Sequence, residues 1–348
     1  MKKSIRRAAG IACTAVLLSG CSTPPAAGPL PNGTATASPP AAPDAASDPA
    51  SSSPTPPSPQ PEPPLPSGWL AQITGDAGRL AILGDSFAAG EGAGDYQPAV
   101  PGRGDSCHRS VYPAGAELFA PENTANLACS RATTGHLAAQ QLLETTNETG
   151  ADTVPAQLEQ LQDFDPTLVV LSVGGNNLDF AGILQACLLE ATPCSDNPGL
   201  GAHAEAELAS LLPDLVDGYD QVAAAVSAPV LVLPYPQLFD APDGDCGRLT
   251  TEEQRFGRNL ITDLNAVIRS AVDSSSAPNV YYVDAVENAL AGHGVCSQEP
   301  FVHAADVSGL LQAADSPTAN QELLHPTYEG YRAMTRELVR WAAAHPAP

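Results

Sequence analysis

Leu80-Ala81-Ile82-Leu83-Gly84-Asp85-Ser86-Phe87 is a run of four apolar residues that breaks on a glycine and then presents a serine. A short, continuous apolar run bounded by a turn signal fits a strand buried on both faces. Gly84 permits a tight turn behind it, which puts Ser86 at the carboxyl end of that strand, exposed and close to a helix start. Three more runs share the character of the first: Leu168-Val169-Val170-Leu171, Val230-Leu231-Val232-Leu233 and Val280-Tyr281-Tyr282-Val283. Helical patterns lie between and after them. Phe256, Leu260, Ile261, Leu264, Val267, Ile268 and Val272 recur at helical spacing, and Thr250 with Glu253 supplies a capping box ahead of them. Tyr328, Tyr331, Met334, Leu338 and Trp341 mark a last helix, with Pro326 near its first turn. Strands alternating with helices imply an α/β domain with a mostly parallel sheet covered on both faces, and ligands bind beyond the carboxyl ends of such strands.

Two further stretches carry chemistry on that rim. Val173-Gly174-Gly175-Asn176-Asn177 follows the second run, where glycines let the backbone approach a ligand and the Asn176 amide can donate to a developing oxyanion. Glu322-Leu323-Leu324-His325-Pro326 precedes the last helix, where His325 can reach across the rim to Ser86 as general base and then general acid. Neither residue type decides anything alone. Six other histidines exist, and a second Gly104-Asp105-Ser106 follows Pro101-Gly102-Arg103 instead of an apolar run, so it reads as a loop.

The rest of the chain sets the surroundings. Residues 1–20 combine a basic start (Lys2, Lys3, Arg6, Arg7) with an apolar stretch too short to span a bilayer, which is a signal peptide pattern. It ends in Leu18-Ser19-Gly20-Cys21, similar to a bacterial lipobox in which Cys21 becomes acylated, so a membrane anchor through lipid on Cys21 is expected. Residues 21–68 are rich in Pro, Ala and Ser and read as a semi-rigid tether. At ~3.1 Å per residue it can hold a domain roughly 100 Å from its anchor. The composition turns globular at Trp69, and 69–348 is long enough for one α/β domain with a large core. Without the signal, eleven basic and thirty-nine acidic residues leave a formal charge of −28, which disfavours nucleic acid. With Cys13 and Cys21 set aside, six cysteines suggest three disulfides among fifteen possible connectivities. Pairing of sequence neighbours is favoured: Cys107 with Cys129, Cys187 with Cys194, and Cys246 with Cys296. No C-x-x-C pair and no histidine pair at helical ligand spacing suggests a metal.

The Gly84-Asp85-Ser86, Gly174-Gly175-Asn176-Asn177 and His325-Pro326 blocks resemble, in order and spacing, those of the SGNH (GDSL) hydrolase family over about residues 78–340. Gly90-Glu91-Gly92-Ala93-Gly94, Cys107-His108-Arg109-Ser110 and Ala128-Cys129-Ser130-Arg131-Ala132-Thr133-Thr134 are similar to an actinobacterial, disulfide-containing lipase and esterase branch. The resemblance implies a flavodoxin-like three-layer α/β/α sandwich and ester hydrolysis through an acyl-enzyme on Ser86, with no cofactor. It implies His325 as base, and an oxyanion hole of the Ser86 and Arg131 amides with the Asn176 side chain. Three positions depart from the family pattern. Arg131 stands where glycine is usual, Asn177 where aspartate is usual, and Glu322 where the acid of the triad is usual. Glu322 or a nearby backbone carbonyl is then expected to orient His325. The implied partner is a small-molecule or lipid ester; a monomer is expected, and the lipid on Cys21 is expected to hold it at the outer face of the cell membrane. Two alternatives stand beside this: a carbohydrate or cell-wall O-deacetylase on the same triad, and an inactive surface binding lipoprotein of the same fold.

Overall fold

The run that begins at Leu80 forms β1 (Leu80–Gly84), buried along its whole length. The computed structural model describes residues 64–98, 107–143, 152–180, 182–183, 187, 193–247, 249–303 and 321–347. The segments expected to be a signal peptide and, but for its last residues, a tether, together with Cys21 and the second Gly-Asp-Ser at 104–106, lie outside them. In chain order the elements are α1 (Leu70–Ile73), β1, α2 (Ser86–Ala89), β2 (Thr124–Asn126), β3 (Gln141–Leu143), β4 (Asp152–Val154), α3 (Gln157–Leu161), β5 (Leu168–Ser172), α4 (Pro198–Ala225), β6 (Val230–Val232), α5 (Thr251–Ser274), β7 (Val280–Tyr282) and α6 (Tyr328–Ala344).

Five strands form one parallel sheet in the order β2-β1-β5-β6-β7, while β3 and β4 make a separate antiparallel pair. The large sheet therefore has the flavodoxin-like order, and its direction of growth reverses between β1 and β5. The four apolar runs are its central and far strands. The edge strand β2 reads Thr-Ala-Asn and gives no apolar signal.

Alternate residues of each strand feed two cores, as the two-residue period of a strand requires. Ala81, Leu83, Val169, Leu171, Val230 and Val232 pack with Leu215, Tyr219 and Val222 of α4 and Leu260, Ile261 and Leu264 of α5. Leu80, Ile82, Leu168, Val170 and Leu231 pack on the other face with Leu70 of α1 and Tyr331, Met334, Leu338 and Trp341 of α6. The result is the three-layer sandwich.

Local signals end the elements as expected. Thr250 and Glu253 exchange the two hydrogen bonds of a capping box at the start of α5. Glu253 Oε1 also accepts from the Cys194 N–H at 3.2 Å, which ties that helix to the Cys187–Cys194 disulfide. Among the described residues three disulfides form, each between cysteines adjacent in the order of the sequence: Cys107–Cys129, Cys187–Cys194 and Cys246–Cys296. Thr327 caps α6 by accepting from the Gly330 N–H, and Pro326 lies just ahead of that cap.

Candidate active site

Ser86 is the first residue of α2, immediately beyond β1. The glycine at position 84 has a reason beyond the turn. Its φ is +128°, and a Cβ there would fall 1.8 Å from the Ser172 carbonyl oxygen of β5. Asp85 is the cap of α2, its Oδ1 accepting from the Phe87 N–H at 3.0 Å. Its Oδ2 accepts from Tyr235 Oη, which in turn accepts from the Gly175 N–H at 2.7 Å. Burial pushes the Asp85 carboxyl up to about 7, against the pull of Tyr235 and the cap amides.

His325 Nε2 lies 2.7 Å from Ser86 Oγ. The other ring nitrogen, Nδ1, faces the Leu323 carbonyl oxygen at 3.2 Å. A carbonyl can only accept, so Nδ1 carries the hydrogen and Nε2 offers its lone pair to the serine hydroxyl. The backbone holds this pose from both sides: His303 N–H donates to the His325 carbonyl at 2.9 Å, and Leu324 N–H donates to the His303 carbonyl at 3.1 Å. Leu324 itself sits at φ +61°, a left-handed conformation that is costly for a leucine and turns the chain just before the histidine. Phe87 packs on the imidazole, ring centroids 4.9 Å apart. Burial lowers the His325 pKa below its ordinary value, while the charge of Glu91 and the Leu323 carbonyl act the other way.

The other loops of the rim close on the same point. Cys129 N–H donates to the Gly84 carbonyl at 3.1 Å, which brings the loop bearing Arg131 to the end of β1. Asn176 Nδ2 donates to the Ala132 carbonyl at 2.9 Å, so Asn176 and Arg131 stand on joined loops. Ser86 and Asn176 follow β1 and β5, the two strands between which the sheet order reverses, and that crevice is where open α/β sheets bind ligands. Among the described residues no cluster of three His, Cys, Asp or Glu side chains is placed to hold a metal ion. No helix among them is long and apolar enough to cross a membrane.

Comparison with known proteins agrees with this geometry. The model of the GDSL-like lipase/acylhydrolase family matches residues 82–333. A lipase of Streptomyces rimosus is 32% identical over 248 residues, 68% of this chain and 80% of the relative. The crystal structure of a phospholipase A1 from Streptomyces albidoflavus NA297 superposes with a TM-score of 0.57 at 27% identity, covering 75% of this chain and 98% of that one. The structure of an extracellular lipase from Streptomyces rimosus gives a TM-score of 0.56 at 26% identity, with the same coverage. The chain belongs to the GDSL-like lipase/acylhydrolase family.

As a GDSL-family ester hydrolase, the molecule accommodates each departure in its motifs differently. Arg131 sits at φ +68°, the left-handed region that explains why glycine is usual there, and its side chain is exposed. Asn177 uses both halves of its amide on Thr134: Oδ1 accepts from the Thr134 N–H at 3.0 Å and Nδ2 donates to Thr134 Oγ1 at 2.9 Å. Of the two expected ways to orient His325, the geometry favours the carbonyl. Glu322 Oε1 is instead occupied by Tyr96 Oη at 2.5 Å, and the backbone fills the Nδ1 side of the imidazole.

Tyr235 was not anticipated from the sequence of this GDSL hydrolase. It lies three residues beyond β6, on the carboxyl rim, and that position was the available signal. Its partners, Asp85 and Gly175, stand 150 and 60 residues away, so no local pattern could reveal them.

Proposed function

We propose that this GDSL-family hydrolase cleaves its ester through an acyl-enzyme on Ser86. The observation that carries the reading is the 2.7 Å approach of His325 Nε2 to Ser86 Oγ at the switch point of the sheet. Ser86 Oγ bonds to the acyl carbon while its proton passes to His325 Nε2. The resulting oxyanion takes hydrogen bonds from the Ser86 and Arg131 N–H groups and from Asn176 Nδ2. The Ser86 N–H suits this role because the first amide of a helix has no acceptor within that helix. Asn176 spends one amide hydrogen on Ala132 and keeps the other for the substrate. His325 returns the proton to the departing alcohol. It then takes one from water, whose oxygen bonds to the acyl carbon; the bond from that carbon to Ser86 Oγ breaks, the acid leaves, and His325 gives the proton back to Oγ. The Leu323 carbonyl holds the imidazole in place of a carboxylate, and no cofactor takes part.

A lipid ester is the proposed substrate class, because a phospholipase A1 and an extracellular lipase are among the similar proteins of known structure. The proposed setting is the outer face of the membrane. A signal peptide over 1–20 is removed, lipid on Cys21 anchors the chain, residues 21–68 form the tether, and a monomeric domain over 69–348 does the chemistry. A fluorophosphonate is expected to label Ser86 in the wild type, and Ser86→Ala to lose both labelling and ester turnover. Turnover that persists in Ser86→Ala overturns the mechanism. Rates on acetyl, butyryl and long-chain p-nitrophenyl esters test the substrate class, since a deacetylase would prefer the short acyl chains.

A further inference from the structure

Three motifs set apart in the sequence have no part in the chemistry above: Gly90–Gly94, Cys107–Ser110 and the start of Ala128–Thr134. In the fold they meet at one buried carboxylate. Glu91 is 1% exposed, with Oε1 2.5 Å from His108 Nδ1 and Oε2 accepting from Ser130 Oγ at 2.7 Å. His108 and Ser130 are themselves buried, at 8% and 4% exposure, and they adjoin the two halves of the Cys107–Cys129 disulfide.

The backbone of Glu91 reaches the reacting residues. Its N–H donates to the Ser86 carbonyl at 3.0 Å, and its own carbonyl accepts from Tyr331 Oη of α6, the helix that follows His325. Ser130, at the other end of its side chain, is the residue before Arg131. One buried residue thus spans the nucleophile's turn, the loop of the proposed oxyanion donor and the helix behind the base. A buried charged cluster is weak evidence for stability, since well-packed apolar residues often serve a fold as well or better. That asks for another reason for a glutamate here.

We propose that Glu91 is a positioning residue of the ester hydrolase: through Ser130 and His108 it fixes the Arg131 loop against the Ser86 turn, so that the oxyanion donors are aligned with the nucleophile. The inference rests on the Ser86 mechanism. Misplacement of reacting groups by 1 Å can cost on the order of 10²-fold, and donors aimed at an oxyanion act on the transition state, not on the bound substrate. The loss therefore falls on kcat and leaves KM nearly unchanged.

The test uses the intact protein, with active sites counted by fluorophosphonate labelling and folding checked by thermal melting. Glu91→Gln keeps the shape but replaces one acceptor oxygen by a donor, and is expected to lower kcat about 10- to 100-fold with KM within about twofold. Ser130→Ala removes a single hydroxyl and is expected to lower kcat about 3- to 10-fold, again at constant KM. The double variant is expected to fall little below Glu91→Gln, because both changes break one connection. Two folded variants with wild-type kcat, or effects that simply multiply, overturn the proposal. Should Glu91→Gln not fold, Ser130→Ala decides: wild-type kcat refutes the brace and the stated loss supports it. Ser86→Ala separates the two levels. Turnover in Ser86→Ala refutes the mechanism itself, whereas an inactive Ser86→Ala beside an unimpaired Glu91→Gln refutes only the role of Glu91.

Discussion

Tyr96 Oη donates to Glu322 Oε1 at 2.5 Å and accepts from the Gly92 N–H at 2.9 Å, so the Glu322 carboxylate closes a bridge to the Gly90–Gly94 loop. The acid that stands three residues before the histidine, where the family pattern places the third member of a triad, is thus engaged elsewhere. His325 Nδ1 faces the Leu323 carbonyl in its place. A carbonyl fixes the tautomer as a carboxylate does, but offers the imidazolium a dipole instead of a full charge.

Glu322 should therefore be dispensable for the chemistry. Loss of the carboxylate from an aspartate-supported triad lowers kcat by about 10⁴, whereas Glu322→Gln is expected to lose less than about tenfold, with the amide still accepting from Tyr96. Steady-state ester hydrolysis by Glu322→Gln and Glu322→Ala checks this. A thousandfold loss in both, with folding intact, would return Glu322 to the catalytic triad.

The pH profile follows from the same imidazole. Burial holds His325 below its ordinary 6.5, His303 acts in the same direction, and Glu91 and the Leu323 and Gln321 carbonyls oppose it. The base must be neutral to accept the serine proton, so activity rises with pH through the folded pKa. The acidic limb of kcat/KM is expected to have its midpoint below 6.5. Glu91→Gln removes a negative charge and should move that midpoint lower still. A wild-type limb centred above 7, or a shift upward in the variant, contradicts the electrostatic account.

How far the sequence could be read depended on how local each signal is. The strands at Leu80, Leu168 and Val230 announce themselves because strands buried on both faces must be apolar throughout, and the half-buried edge strand at Val280 is legible from its valine and two tyrosines. The edge strand Thr124–Asn126 is not, since it reads Thr-Ala-Asn and pairs by backbone alone on one side. Ser86 and Asn176 were legible from their place after such strands. The partner of His325 was not. It depends on Leu324 at φ +61° and on a hydrogen bond between Glu322 and Tyr96, 226 residues apart, neither of which any short stretch encodes. Arg131 shows the same limit: its positive φ explains the family's glycine, but only the fold reveals an exposed side chain.

Tyr235 offers the sharpest test of how the nucleophile and the oxyanion turn are joined. Its hydroxyl donates to Oδ2 of Asp85, the cap of the nucleophile's helix, while accepting from Gly175, the residue before Asn176. Tyr235→Phe leaves a buried carboxyl oxygen and a buried N–H unpartnered, each costing about 1–3 kcal/mol, so a loss of about 3 kcal/mol in unfolding free energy is expected. The loss should also depend on pH. The folded pKa of Asp85, about 7, lies above its ordinary 3.8, so its contribution to stability falls as pH rises from 3.8 through about 7. Without the Tyr235 hydrogen bond, which lowers that pKa, the fall continues to higher pH. The stability gap between wild type and Tyr235→Phe should therefore be nearly constant below pH 7 and widen above it. Urea denaturation at pH 5 and pH 9 measures both values. A gap that does not change with pH would mean that Tyr235 supports Gly175 alone and leaves the Asp85 charge untouched.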